Sequence, residues 1–106
     1  MGTNYYLRLK NPPKSIPETF KAHIGKSSCG WRFLFKKYLE IQTFESWEKL
    51  INDDVYIIVD EYGDEANKED FFAMVAWKQK DASHEIVEDP HYINIGGYDF
   101  LSCEFS

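Results

Sequence analysis

The chain has 106 residues, enough for one domain and too few for two cores. Hydrophobic residues make up 43% and aromatics 17%, so a core needs no staple of disulfides or metal. The net charge of −6 works against a general affinity for nucleic acid, whose phosphates it repels.

That charge is unevenly spread. Met1–Tyr38 holds eight Lys/Arg and one acid, whereas Leu39–Ser106 holds four lysines and seventeen acids. Such asymmetry fits two readings equally: ordinary solvated surface, or a module steered electrostatically toward a charged partner. The two cysteines, Cys29 and Cys103, are too few for a disulfide framework, and no secretory signal precedes them, which implies a reduced, cytoplasmic setting. The longest apolar stretch, VYIIV, is far short of the ~18 residues of a membrane span.

In chain order, Asn4–Lys10 alternates. Tyr5, Leu7 and Leu9 share one face, and Tyr6, Arg8 and Lys10 the other, as in a half-buried strand. NPPKSIP is a loop, because proline fixes φ and donates no hydrogen bond. Phe20–Ile24 reads as a short strand, and WRFLF as another with Trp31, Phe33 and Phe35 facing inward. Gly25–Gly30 then becomes the hairpin turn between them, its two glycines supplying positive φ. Leu39–Ile41 is a further short extended piece.

Thr43 is the N-cap of a helix in which Phe44, Trp47, Leu50 and Ile51 recur at helical spacing. VYIIVDEYG is a strand and turn. Asn67 caps a second helix, with Glu69 and Asp70 in its first turn, Phe71, Phe72, Met74 and Val75 on its apolar side, and Trp77 partly outside that stripe. HYINI and YDFLSCEF flank Gly96-Gly97, a pair suited to a tight hairpin. The fold class that results is α+β: a mostly antiparallel sheet built from hairpins, with two helices packed on one face, in a single domain over residues 1–106.

The letters Gly25-Lys26-Ser27 suggest a phosphate-binding loop, but that motif needs glycine where Phe20 stands and a helix where an aromatic strand follows. An EF-hand at DEYGDEANKE fails too: with Gly63 at its sixth position, Ile58 falls where the first aspartate belongs. His23, Cys29, His84, His91 and Cys103 show no metal-ligand spacing, and Cys29 with His23 is a weak nucleophile–base pair. Neither a metal, a cofactor nor a catalytic residue is expected. The basic, aromatic segment Lys21–Tyr38 has the composition of a nucleic-acid binder, yet its aromatics fall on the alternation that faces the core.

The segments MGTNYYLR, HIGKSSCGW, DEYG and YDFLSCEFS resemble, from end to end, a group of small proteins encoded mainly by bacteriophages and prophages. Members open with MGTNYY and carry a HIGKSSxGW segment. Many have a CxxC pair between the two, as in a zinc knuckle; here that interval, KNPPKSIPETFKA, has no cysteine. The resemblance implies a phage accessory protein in the cytoplasm of an infected cell. It would act without catalysis, by stoichiometric binding that blocks or redirects a host defence or nucleic-acid-processing complex.

The partner-binding candidates are the acids of the run 53–70: Asp53, Asp54, Asp60, Glu61, Asp64, Glu65, Glu69 and Asp70, against the single base Lys68. Carboxylates on a rigid scaffold can occupy a basic channel as a nucleic-acid mimic does. The alternative is a small-ligand site of nucleotide type, in which His23, Gly25, Lys26, Ser27, Ser28 and Trp31 supply anion contacts and stacking.

Overall fold

The computed structural model describes residues 2–15, 21–28, 33–81, 92–95 and 98–102. They form a seven-stranded sheet and two helices. The elements are β1 (Gly2–Leu9), β2 (Ala22–Ser28), β3 (Leu34–Lys36), α1 (Phe44–Ile51), β4 (Tyr56–Asp60), β5 (Glu65–Ala66), α2 (Lys68–Asp81), β6 (Tyr92–Ile95) and β7 (Tyr98–Leu101). The order across the sheet is β5-β4-β1-β2-β3-β7-β6, antiparallel except for the β3–β7 pair. The α+β class read from the sequence is the one observed.

β1 is an interior strand, paired with β2 on one side and β4 on the other. Its alternation works as expected: Leu7 lies opposite Ile58, and both enter the core. From β2, β3 and β7 come Ile24, Phe35 and Phe100, with Phe33 just before β3. Trp47 and Ile51 of α1 and Phe71 and Val75 of α2 close the same cluster, so both helices cover one face of the sheet. The rings interlock mostly edge to face. Phe71 meets Tyr5 at 5.4 Å and Phe33 at 5.3 Å, while Phe44 stacks on Tyr98 at 4.1 Å. Such pairs add about 0.5–1.5 kcal/mol each beyond the area they bury.

Both helix starts are as the sequence indicates. Thr43 Oγ1 accepts the N–H of Ser46 at 3.1 Å, and Asn67 Oδ1 accepts that of Asp70 at 3.1 Å. Each satisfies a backbone donor that the first turn leaves open.

Several local expectations are corrected. Gly25 to Ser28 are strand, not turn: β2 runs on to Ser28, which pairs with Gly2. The strand needs this length because Gly25 and Lys26 are held on both sides, by Tyr5 and Asn4 of β1 and by Phe35 and Leu34 of β3. Among the described residues only Gly63 has positive φ, at 88°. Gly25 is therefore present for room rather than conformation. A Cβ there would meet Phe33 Cε1 at 2.5 Å and the carbonyl oxygen of Leu34 closer still.

β1 and β2 also slip register between Tyr5 and Tyr6, where Ile24 is the extra residue; this bulge turns Ile24 into the core beside the side-chain-free Gly25. Leu39–Ile41 is not extended, because Tyr38 and Ile41 bond each other's backbone in a tight turn. β5 is a short strand that no alternation announces. Lys36, expected on a solvent-facing side, is buried, and its Nζ donates to the Ser102 carbonyl at 3.0 Å. Phe20, Trp31 and the Gly96-Gly97 turn lie outside the described residues. The strands that flank that glycine pair, β6 and β7, do form the expected antiparallel hairpin.

Candidate functional site

The topology decides where the acids go. β4 and β5 are the two outermost strands at one end of the sheet, and the run 53–70 is the segment that builds them and starts α2. Asp53 and Asp54 lie in the α1–β4 connection, Asp60 ends β4, Glu61 and Asp64 belong to the β4–β5 turn, Glu65 opens β5, and Glu69 and Asp70 occupy the first turn of α2. All are exposed except Asp60, which is half-buried.

Three of the eight have a local structural task. Asp60 Oδ1 accepts the N–H groups of Tyr62 at 2.9 Å and Asp64 at 3.0 Å, which ties the turn whose sharp reversal falls on Gly63. Asp53 Oδ1 accepts the Val55 N–H at 3.1 Å. Glu61 Oε1 reaches across to the Asn4 N–H at 2.9 Å and fastens the turn to β1.

Asp54, Glu65 and Glu69 instead rim a cleft of about 580 Å³ at this edge. Lys68, the single base of the run, and Lys10, which the sequence reading placed on the first strand and not at the site, share its lining with Tyr56 and Asn67. Lys68 Nζ donates to the Asp53 carbonyl at 3.0 Å and draws the start of α2 toward the α1–β4 connection. The tip of the turn presents Tyr62, 75% exposed amid the carboxylates; DEYG was its only signal in the sequence. Behind this edge, burial first and the nearby Asp60 carboxylate second raise the pKa of the Tyr5 phenol above its ordinary value.

The residues of the alternative site are arranged differently. His23 is buried, stacked on Tyr6 at 5.0 Å between ring centres, with its Nε2 at 2.9 Å from Asn4 Oδ1. Lys26 is half-buried on β2, paired with Asn4 and Leu34. In a strand successive N–H groups point to opposite edges, so Gly25, Lys26, Ser27 and Ser28 cannot converge their amides on one anion as a phosphate-binding nest does. Trp31 lies outside the described residues, as do Cys29, His84, His91 and Cys103. Among the described residues no three metal-binding side chains gather, and no helix is long and apolar enough to cross a membrane.

The chain matches no protein-family model, no curated protein and no solved structure.

Proposed function

We propose that the protein is a non-enzymatic binding module whose acidic edge docks on a basic surface of a partner. In the setting that the sequence resemblance implies, it is a phage accessory protein. The partner is then a host defence or nucleic-acid-processing component, and the carboxylates stand in for backbone phosphates. The observation that carries this reading is the collection of all eight acids of the run 53–70 at one end of the sheet. Three of them have an oxygen fixed by backbone N–H groups. Charges held on a rigid edge lose little conformational entropy on binding, and opposed fields speed encounter and reject partners of the wrong sign.

The experiment is a pull-down of the tagged protein from bacterial lysate at low and high salt, with mass spectrometry of what is retained. The reading expects a discrete host protein held at low salt and released at high salt. Asp54→Lys/Asp64→Lys/Glu65→Lys is the variant to compare, because none of these three side chains is among those that tie the edge together. It should fold as the parent does and lose that partner. Retention of the same partner by the triple variant refutes docking through this edge.

A further inference from the structure

β5 is too short to cover β4. It pairs only through Ile58–Ala66 and Val59–Glu65, and Asn67 then caps α2 and turns the chain away. The first half of β4, Tyr56 and Ile57, has no strand beside it on that side among the described residues. The gap so left is the cleft of about 580 Å³. That volume falls within the roughly 300–1,000 Å³ of small-molecule sites.

Its two ends differ in charge. At the start of β4 the lining is mixed. Lys10 stands beside Val55, whose carbonyl accepts its N–H at 2.8 Å, and Asp54 immediately precedes that same Val55. Lys68 reaches this end too, where its Nζ meets the Asp53 carbonyl at 3.0 Å. The opposite side, on β5 and the first turn of α2, carries the carboxylates of Glu65 and Glu69. Among the described residues no ion pair joins Lys10 to Asp54, Glu65 or Glu69, although all four line one cleft.

An occupant that bridges these groups offers an anion and a cation together at one end and a second cation at the other. Three carboxylates against two lysines leave the lining one charge negative, so the complementary occupant carries one net positive charge. A basic α-amino acid has this make-up: α-carboxylate and α-ammonium on one carbon, then an apolar arm that ends in a cation. The arm would lie along Ile57 and Ala66, as the stems of long cationic side chains do on apolar surface.

We infer that the cleft between β4 and the start of α2 binds a free basic α-amino acid of the arginine–lysine class. Lys10 takes its carboxylate, Asp54 its α-ammonium, and Glu65 with Glu69 its side-chain cation. The site goes beyond the docking proposed above. It shares acids with that edge, but its test uses a pure small molecule and no partner, so either reading can fail alone.

The test is titration of the isotopically labelled full chain with L-arginine, followed by amide chemical shifts at constant ionic strength, which removes a general salt effect. The parent should show saturable shifts at Tyr56, Ala66 and Glu69. Agmatine lacks the carboxylate and citrulline has a neutral side chain. Each should bind about fivefold more weakly than arginine, the scale of one exposed ion pair. Lys10→Met should erase the preference over agmatine and keep that over citrulline. Glu65→Gln/Glu69→Gln should do the reverse. A damaged fold would lose both preferences together, so this exchange of one for the other reports the site itself. Absence of saturable shifts in the parent, equal binding of the three compounds, or preferences that survive both variants overturns the inference.

Discussion

Gly25→Ala tests the close approach of β2 to the Leu34 backbone. At an open strand position alanine is the better residue, and the exchange stabilises by about 0.5–1 kcal/mol. Here the added methyl meets Phe33 Cε1 at 2.5 Å and, closer, the Leu34 carbonyl. The ring could turn aside, but it is fully buried and packed on Phe35, at 4.7 Å, and on Phe71. The carbonyl belongs to β3, a strand of three residues whose position is fixed by β2 on one side and β7 on the other. Relief therefore means parting β2 from β3 or displacing a core ring. Overpacking costs about 1–3 kcal/mol in ordinary cores, and a backbone obstacle puts this case at the upper end, about 3 kcal/mol. At about 4 °C per kcal/mol for a domain of this size, the melting temperature should fall by about 12 °C.

Gly63→Ala is the control. Its φ of 88° is unfavourable to alanine, but nothing lies within 4 Å of the new methyl, so the cost is conformational alone, about 1–2 kcal/mol. Chemical and thermal denaturation followed by circular dichroism measure both. If Gly25→Ala is neutral or stabilising, the strand does not approach β3 as described.

Trp47→Phe removes a fully buried indole whose Nε1 donates to the Lys36 carbonyl at 3.0 Å, leaving a void and deleting that hydrogen bond. Urea unfolding should show a loss of about 2–4 kcal/mol with an unchanged denaturant slope, and a loss below about 1 kcal/mol would contradict the burial of that indole. Asn67→Ala deletes the cap of α2 and should cost about 1 kcal/mol, whereas Asn67→Asp should cost little; equal effects from both would deny Asn67 a capping role. The Tyr5 and Tyr98 phenols have folded-state pKa values raised above 10.0, chiefly by burial and secondarily by nearby carboxylates. Their contribution to stability is complete below the unfolded value and is lost as pH rises through the folded one. Melting temperatures across the alkaline range should therefore fall less steeply above pH 10.0 for Tyr5→Phe than for the parent, and parallel curves would refute the shift.

What the sequence revealed of this fold is what short-range chemistry encodes. The alternation of β1, the Thr43 and Asn67 caps and the strands on either side of Gly96-Gly97 depend on neighbours within a few residues, and each appears where expected. The errors come from residues whose state is set by distant partners. Lys36 alternates outward from Phe35 and looks solvated, but the Ser102 carbonyl, 66 residues away, receives its Nζ. Gly25 looks like a turn glycine because glycine so often serves that purpose; its need for room appears only once Leu34 is folded back against it. The acids were legible as a run, but their gathering at one end of the sheet depends on β4 choosing β1, a pairing made across more than 40 residues. Which carboxylates tie the turn and which rim the cleft is likewise a matter of geometry.

The parallel pairing of β3 with β7 divides the sheet. On one side β5, β4, β1, β2 and β3 are linked through antiparallel neighbours; on the other, β6 and β7 form a hairpin that joins the rest of the sheet by a single short ladder. A hairpin attached along one seam can detach as a unit while the remaining strands keep their partners. Its departure would strip Phe100 from Phe35, where the rings now stack at 5.4 Å, and bare the free edge of β3 beside an exposed aromatic surface. An unpaired edge next to apolar rings is a template for strand addition by another chain. Resistance to aggregation would then follow the free energy of opening that seam rather than the stability of the whole fold. Substitutions at Phe35 or Phe100 would spoil solubility well before they abolish folding.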